Sequence, residues 1–310
     1  MNKLAIIIPA YKHDFFESTL SCLAKQTNKD FTVYIGDDNS PFDLKIIVDK
    51  YMNRINIKYT KFKNNIGSKN LVNQWDRCVK LSKDEEWLWL FSDDDIVDEN
   101  AVQNFYSNLN THANFDVYRF NTITINGTGD VICVNPIGPI KETSEEMAYY
   151  LLLGKRGNSM PDHIFSRKIF NENNGFVFTR YAQGADWASS ILFSQKNGIC
   201  VIPDSNLYWR YSGINISSIA FKHTSKMLHG HLQFIRWLLN HFAYLKTTQS
   251  TVSYEMIKDA AYINLKSVIV NHYRTLSKKN SIKVFVLLHN DFNYSIKDSI
   301  KKIFSIKKIL

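Results

Sequence analysis

Three acidic residues follow a short apolar run of the sequence. Residues 87–91 are apolar, and Ser92, Asp93, Asp94 and Asp95 come directly after them. Adjacent carboxylates repel one another unless a cation relieves them. Mg²⁺ or Mn²⁺ would do so, because both prefer oxygen ligands and leave positions for substrate phosphates. The triplet predicts a metal and diphosphate site; the alternative is a solvated acidic turn that precedes the next helix.

A second acidic pair follows an earlier apolar run. Asp37 and Asp38 come after residues 31–35 and precede Asn39 and Ser40. This segment is typical of a turn that caps the following helix. A carboxylate in the same place could instead accept hydrogen bonds from a nucleobase or a ribose. Both interpretations remain open from the residues alone.

Alternating elements position these acids. The pattern predicts strands at 4–8, 31–35, 55–59 and 87–91, with helices at 15–26, 44–52 and 68–81. Such alternation is typical of a doubly wound α/β sheet, mostly parallel and flanked by helices. Ligands of these sheets bind at the carboxyl ends of the strands. We therefore expect both acidic groups at one edge of the sheet.

The remainder of the chain changes in character towards its end. A hairpin is predicted within 115–134, and helices are predicted at 145–153, 186–195, 224–246 and 253–276. The predicted organisation is a sheet domain over residues 1–220 and a helical C-terminal region over residues 221–310. That helical region is a candidate for contact with a membrane surface or another subunit.

Composition limits the class of protein. The chain has 310 residues, of which 45% are hydrophobic, so it can bury a large core. Its four cysteines are scattered, which predicts buried thiols in a reducing compartment. Apolar runs fall short of the roughly 18 residues of a membrane span, and no signal peptide is visible. We expect a cytoplasmic protein, either free or peripheral on the inner face of the cytoplasmic membrane.

The basic residues are concentrated near the end of the chain. The net charge is +9, and eight lysines lie between Lys278 and Leu310. In the last segment isoleucines alternate with lysines at helical spacing, which is typical of a helix on an anionic membrane. The alternative is a docking helix whose apolar stripe packs on the protein. Nucleic acid is not expected as a partner, because no recognised binding module is present.

Five short motifs, in this order and spacing over residues 4–100, resemble those of the family-2 glycosyltransferases. They are Ile6–Tyr11, Gln26-Thr27, Asp37–Ser40, Asn65-Ile66-Gly67 with Asn70, and Ser92–Asp95. The resemblance implies the GT-A fold, a Rossmann-like α/β sheet. It also implies a nucleotide-sugar donor, such as a UDP-hexose or UDP-N-acetylhexosamine, and Mn²⁺ or Mg²⁺ as cofactor.

The resemblance assigns roles around the nucleotide. Pro9 and Tyr11 would line the nucleoside pocket, with Tyr11 on the base, and Asp38 would bond to the base of a uridine-like nucleotide. Asn65 and Asn70 match a segment that closes over the nucleotide.

The same resemblance assigns roles at the diphosphate. Lys69 would approach a phosphate, and Asp93 would contact the ribose and the diphosphate. Asp94 would bind the metal, with Asp95 nearer the donor sugar. The family's first acid aligns with Ser92, so Asp93 and Asp95 are an alternative pair of metal ligands.

The second half of the chain resembles the family over fewer residues. Asp186, in Gly184–Trp187, matches the catalytic base of inverting members, although Ala185 replaces their preceding acid. An N-terminal helix acid is the alternative. The segment around Arg210 and Ser217-Ser218 matches one that folds over the diphosphate.

Three other residues of this half are candidates with alternatives. Arg210 is either a phosphate clamp or a surface cation beside a strand, and His223 is either a third metal ligand or an unremarkable histidine before a helix. Asp162 and His163 are candidates for the border of the acceptor pocket.

The implied reaction is a single displacement with inversion, in which Asp186 takes the proton of the acceptor hydroxyl. An α-linked donor would give a β-linked product on a glycan or lipid-linked oligosaccharide during surface-polysaccharide biosynthesis. The alternative function is a non-catalytic nucleotide-binding or membrane-scaffold protein on the same fold.

Overall fold

The computed structural model describes residues 3–213 and 223–310, which form a mixed α/β fold. In these residues the strands are β1 (Leu4–Ala10), β2 (Phe31–Asp37), β3 (Ile57–Lys61), β4 (Trp87–Leu90), β5 (Ile96–Val97), β6 (Val117–Ile125), β7 (Val131–Val134), β8 (Lys141–Glu142), β9 (His163–Ser166) and β10 (Ile199–Arg210). The α-helices of the same residues are α1 (Phe16–Ala24), α2 (Leu44–Asp49), α3 (Leu71–Val79), α4 (Ala101–Thr111), α5 (Ser144–Leu152), α6 (Arg167–Glu172), α7 (Ala185–Ser194), α8 (Thr224–His241), α9 (Tyr254–Val268), α10 (Lys278–Val286) and α11 (Ile296–Lys307).

One sheet contains all of these strands. Its order is β3-β2-β1-β4-β9-β6-β10-β5, with β7 paired to β6 and β8 paired to β10. The first four are parallel, and β9 and β5 run antiparallel to their neighbours. Ala10 of β1 is opposite Asp37 of β2, so the strands end at the same level. The predicted meeting of the strand ends is confirmed.

Both faces of the sheet are covered, which explains the continuous apolar runs of the parallel strands. Ile6 and Ile8 point into the core beneath α1, α2 and α4, whereas Ala5 and Ile7 point into the core beneath α3 and α5. The buried Trp89 of β4 donates its indole N–H to the carbonyl of Pro161 at 2.7 Å. This bond fixes the turn that precedes Asp162 beside the ends of the strands.

The C-terminal helices α8–α11 pack around a core that they share with α5 and α7. Ala148 and Leu152 of α5 and Ile191 of α7 belong to the same buried cluster as Phe234 and Leu238 of α8. The predicted mostly helical C-terminal region is therefore present. The predicted boundary at residue 220 lies outside the described residues, and the division into two domains stays a prediction.

Some sequence-based expectations differ from the structure. Helix α3 begins at Leu71 and not at Ser68, because Asn70 caps it by accepting a hydrogen bond from the Asn73 N–H at 3.0 Å. Helix α2 ends at Asp49, three residues before its predicted end. The prediction that all cysteines are buried is wrong for Cys133, because β7 is an edge strand exposed on both faces, and Cys22 is only half-buried.

In residues 3–213 and 223–310, no helix has both the length and the hydropathy of a membrane span.

Candidate active site

The loop that follows β1 is attached to the acidic triplet. Tyr11 and Lys12 each donate a backbone N–H to Asp93 Oδ2, both at 2.8 Å. Parallel pairing of β1 with β4 places the two loops side by side. All three carboxylates of the triplet are buried at this edge.

Lys12 places its ammonium against two of these carboxylates. Its Nζ is 3.0 Å from Asp93 Oδ1 and also contacts Asp94 Oδ2. The hydroxyl of Ser92 donates to the other oxygen of Asp94 at 2.7 Å. Burial disfavours the ammonium, but the charges of Asp93 and Asp94 outweigh this effect and raise the pKa of Lys12 above its usual value. Lys12 is thus a charged partner of both carboxylates.

Arg210, at the end of β10, supports the triplet from the other side. Its backbone N–H donates to Asp95 Oδ1 at 2.7 Å, and its Nε donates to the carbonyl of Asp94 at 2.8 Å. Its Nη1 donates to the carbonyl of Asn126 at 3.2 Å, in the turn between β6 and β7. Only 4% of Arg210 is exposed, so the interpretation as a surface cation is wrong. The predicted role as a phosphate clamp stays a prediction.

Burial is also the main influence on the pKa values of Asp93 and Asp95. Burial first, and then the charge of Asp94, raise the pKa of Asp95 well above its ordinary range, although the Arg210 N–H opposes this. Burial raises the pKa of Asp93 too, against the attraction of Lys12. The carboxylates at this edge of the sheet therefore have more negative charge than the neighbouring cations neutralise.

Asp38 lies at the same edge and holds a neighbouring loop. Its two oxygens accept the backbone N–H groups of Ile66 and Gly67 at 2.9 and 2.8 Å. Arg77 of α3 donates to Asp38 Oδ1 at 2.6 Å and stacks on Phe62, 3.7 Å from the ring centroid. Asp38 thus positions the segment that contains Asn65, and its predicted bond to a base stays a prediction.

The other residues predicted to contact a nucleotide surround this loop. Tyr11 has an exposed ring, and its carbonyl accepts a hydrogen bond from Ser40 Oγ at 2.8 Å. Pro9 lies in β1 opposite Gly36 of β2. Lys69 is exposed.

The asparagines of this loop stabilise its turns. Asn65 accepts the Ser68 N–H at 3.2 Å through its side-chain oxygen, and Asn70 caps α3. Their predicted contacts with a nucleotide stay predictions.

Asp186 lies in the first turn of α7. Gly184 precedes the helix with a φ of +71°, a conformation that favours glycine. The carboxyl group is partly buried, and this burial raises its pKa to about 7, although the backbone N–H groups of the helix start oppose the shift. A carboxylate with this pKa can take a proton near neutral pH.

Asp162 connects the triplet to Asp186 electrostatically. Burial is the largest influence on the pKa values of Asp95 and Asp186, and the charge of Asp162 raises both further. Asp162 itself is buried, and its Oδ2 accepts the Ser159 N–H at 2.8 Å. The charge of Asp162 therefore acts on both Asp95 and Asp186, and the predicted roles of these acids in one site stay predictions.

A buried cation and a buried histidine lie behind Asp162. Arg119 of β6 is paired in register with His163 of β9, and both are buried. Burial, and then the charge of Arg119, lower the pKa of His163 to about 3, so the imidazole is neutral. Burial raises the pKa of Asp162, against the attraction of Arg119. The predicted position of Asp162 and His163 at an acceptor pocket stays a prediction.

The sequence model described as "Glycosyl transferase family 2" matches residues 5–173. The chain belongs to glycosyl transferase family 2. The match contains β2, β4, the whole triplet and all of β1 except Leu4, so the resemblance drawn from the motifs is confirmed.

The chain also resembles a named protein over about two thirds of its length. The chain is 27% identical over 220 residues to poly(ribitol-phosphate) beta-N-acetylglucosaminyltransferase TarS of Staphylococcus aureus, a match that covers 67% of this chain and 35% of TarS. The chain thus spans about a third of the length of that relative.

Solved structures share the GT-A fold of this family-2 chain. The structure of S. aureus TarS 1-349 in complex with UDP-GlcNAc has a TM-score of 0.66 at 16% identity, covering 99% of this chain and 84% of that one. The structure of GalNAc-T7 with UDP, GalNAc and Mn2+ has a TM-score of 0.54 at 12% identity, covering 98% of this chain and 57% of that one. These likenesses establish the fold, as predicted.

Family-2 membership implies a divalent metal, and the donor chemistry of the triplet fits one. Burial first, and then repulsion from Asp94, raise the pKa values of Asp93 and Asp95, and a divalent ion bound to these hard oxygen ligands would relieve both effects. Across residues 3–213 and 223–310, no three His, Cys, Asp or Glu side chains converge as a complete metal site. The fit is therefore to an ion held by one or two carboxylates, with substrate phosphates as further ligands.

The predicted third ligand is not brought to the triplet in such a group. His223 is exposed and lies immediately before α8. The roles of Asp94, Asp95 and His223 as ligands stay predictions. Ser217 and Ser218 lie outside the described residues.

Sequence reasoning missed three cations of this family-2 site. Lys12 contacts Asp93 and Asp94, Arg77 contacts Asp38, and Arg119 lies behind Asp162. Of these three cations, only Lys12 could have been predicted from the sequence, because it directly follows the Ile6–Tyr11 motif.

Proposed function

We propose that this chain transfers a sugar from a UDP-sugar to a hydroxyl group of a surface-glycan acceptor, with inversion at the anomeric carbon. The observation that carries the proposal is Asp186, a partly buried acid with a pKa of about 7. The charge of Asp162 acts both on Asp186 and on Asp95, at the acidic edge where the donor diphosphate would bind. A base and a diphosphate site near one another are what a single displacement requires.

The donor is proposed to be a UDP-N-acetylhexosamine. The relative TarS is named as a beta-N-acetylglucosaminyltransferase, and TarS 1-349 was crystallised in complex with UDP-GlcNAc. The exposed ring of Tyr11 and the loop held by Asp38 supply a stacking surface and polar groups for a base. UDP-GlcNAc is accordingly the first donor to test.

In the proposed reaction the acceptor oxygen attacks the anomeric carbon as the bond to the diphosphate breaks. The electron pair of that bond leaves with UDP, and the hydroxyl proton passes to Asp186. Because attack comes from the face opposite UDP, an α-linked donor gives a β-linked product.

Charge on the departing diphosphate must be compensated. Asp94, with Asp93 or Asp95, would hold a Mg²⁺ or Mn²⁺ ion, which when bound supplies Lewis-acid stabilisation of that charge. Arg210 holds Asp95 and the backbone of Asp94 in place. The positions of these carboxylates are thus fixed by contacts within the chain.

We propose that α11 attaches the protein to an anionic membrane surface, where the acceptor is held. Ile296, Ile300 and Phe304 occupy one face of this helix at four-residue spacing, and 59%, 42% and 66% of their surfaces are exposed. Ser299 and Ile306, on a neighbouring side of the helix, are buried. The docking interpretation is thus correct for one face, while an outward apolar face flanked by lysines fits a lipid surface. A lipid-linked glycan would be reached from that position.

A binding and turnover experiment tests this function. Thermal unfolding of the full chain is followed with UDP-GlcNAc, UDP-GalNAc and UDP-glucose, each with Mn²⁺, and UDP release is measured. A ligand at one hundred times its Kd stabilises the fold by about 2.7 kcal/mol, so the true donor should raise Tm by several degrees.

Two results would overturn the proposal. If none of these donors raises Tm, the non-catalytic scaffold is favoured. If NMR of a product made from an α-linked donor detects an α-linkage, the inversion is wrong.

A further inference from the structure

The side chain of Lys12 occupies the position at which a cation would bind the carboxylates of the triplet. Its ammonium bridges Asp93 Oδ1, at 3.0 Å, and Asp94 Oδ2. The Lys12 side chain is 23% exposed, whereas the two carboxylates are almost completely buried. The ammonium therefore closes the acidic group on its solvent side.

The backbone of Lys12 is held independently of this ammonium. Its N–H donates to Asp93 Oδ2, the same oxygen that accepts the N–H of Tyr11. Loss of the charge would therefore leave the loop attached to Asp93. The side chain is free to change partner while the main chain stays in place.

An ammonium and a divalent ion cannot share Asp94 at low cost. The oxygen contacted by Lys12 is one that the metal would use, since the other oxygen accepts from Ser92. Two cations a few ångströms apart repel each other strongly in a partly buried site. Occupation of Asp94 by one cation therefore opposes occupation by the other.

We propose that Lys12 is a displaceable counter-ion that competes with the divalent metal for Asp94. Metal alone binds weakly, because it must displace the ammonium. A nucleoside diphosphate relieves the competition, since its phosphates supply metal ligands and also accept the displaced ammonium. Metal and nucleotide therefore bind cooperatively, by a coupling that Lys12 sets. This inference rests on the metal and nucleotide parts of the proposed function.

Mn²⁺ binding tests the competition without any turnover. Binding of Mn²⁺ alone to the full chain is measured by electron paramagnetic resonance of the free ion, for the wild type and Lys12→Met. We expect Lys12→Met to bind Mn²⁺ about tenfold more tightly, and UDP to enhance Mn²⁺ binding less than in the wild type. Lys12→Arg, which keeps the charge, should resemble the wild type.

The matched control is Lys25→Met, because Lys25 also faces one acid, Glu99 at 3.8 Å, but lies away from the triplet. It should leave Mn²⁺ affinity unchanged. Unchanged or weaker Mn²⁺ binding by folded Lys12→Met, or no Mn²⁺ binding by either protein, overturns the inference.

A second measurement uses the wild-type protein and does not depend on how the variant folds. Lys12 is labelled by reductive methylation and quantified by peptide mass spectrometry. Mn²⁺ alone should raise its labelling rate several-fold by releasing the ammonium; an unchanged rate overturns the inference. UDP binding is measured separately, so failure of the proposed donor can be distinguished from failure of the competition.

Discussion

The ring of Phe234 in α8 lies against Gly184, the residue immediately before the helix that carries Asp186. A Cβ added to Gly184 would be 2.6 Å from Phe234 Cγ. The same ring makes an edge contact with Trp187, with centroids 5.8 Å apart. Helix α8 thus determines where α7 begins, and with it the position of the candidate base Asp186.

Substitution of Gly184 by alanine should therefore damage both stability and turnover. Its φ of +71° already costs a side chain about 1 kcal/mol, and the overlap with Phe234 adds to this. We expect a loss of about 2 to 4 kcal/mol in the free energy of unfolding and at least a tenfold loss in kcat. Urea unfolding and UDP release measure these effects.

Gly154→Ala is the matched control for this prediction. Gly154 has a φ of +70°, but an added Cβ would meet nothing within 4 Å. Gly154→Ala should lower the free energy of unfolding only by the cost of the positive φ, and its kcat should be unchanged. Equal effects of the two substitutions would rule out the contact with Phe234 as the cause.

The pH dependence of turnover should follow Asp186. As a base it must be ionised, and its pKa of about 7 means that kcat/KM should fall as pH decreases below about 7. Asp186→Asn should lose about 10²- to 10⁴-fold in kcat while still binding UDP. Asp204→Asn, at an exposed acid in β10, should have no effect. A pH profile that is flat from pH 5.5 to 8 would contradict the assignment.

The same shift predicts a stability change of opposite sign. A carboxyl whose pKa is raised from 3.8 to about 7 binds its proton more tightly when folded, so it destabilises the protein increasingly as pH rises between those values. Asp186→Asn should therefore raise Tm at pH 8, by about 4 °C, and less at pH 5. Differential scanning calorimetry at both values checks this. A Tm at pH 8 below that of the wild type would contradict the burial of the charge.

Arg77 should control nucleotide affinity through Asp38. Arg77→Lys keeps the charge but loses the planar stacking on Phe62 and the shape of the bond to Asp38. The loop at Ile66 and Gly67 would lose its support, so we expect KM for the donor to rise about tenfold with little change in kcat. Arg54→Lys is the control, since Arg54 also stacks on a ring, that of Tyr51, but away from this loop. Equal KM values for both variants would exclude this role.

Membrane association should depend on the outward face of α11. Ile300→Ser with Phe304→Ser should reduce co-sedimentation with phosphatidylglycerol vesicles at least fivefold, because it removes the apolar face and leaves the lysines. Ile46→Ser changes an isoleucine on α2 that is even more exposed than Ile300, and vesicle binding should be unchanged. Binding that is unchanged in the double variant, or equal on neutral phosphatidylcholine vesicles, would speak against an anionic lipid partner.

The sequence by itself determined where the first four strands lie along the chain and which residues follow them. Apolar runs such as Leu4–Ile8 predict parallel strands covered on both faces, and the acids that follow two of these runs must then meet at one edge of the sheet. Asp186 was likewise placed at the start of a helix by local pattern. These features depend on short stretches of chain, so one sequence is sufficient to predict them.

Only the tertiary structure decided which cations face which acids. The guanidinium of Arg210 contacts the carbonyl of Asp94 across 116 positions, Lys12 contacts the Asp94 carboxylate across 82, and Arg77 contacts Asp38 across 39. A buried arginine and a surface arginine have the same letter and no distinguishing periodicity, which is why Arg210 could be assigned either way. Partner choice and burial are set by the packing of elements distant in sequence, and they determine the charge of the site.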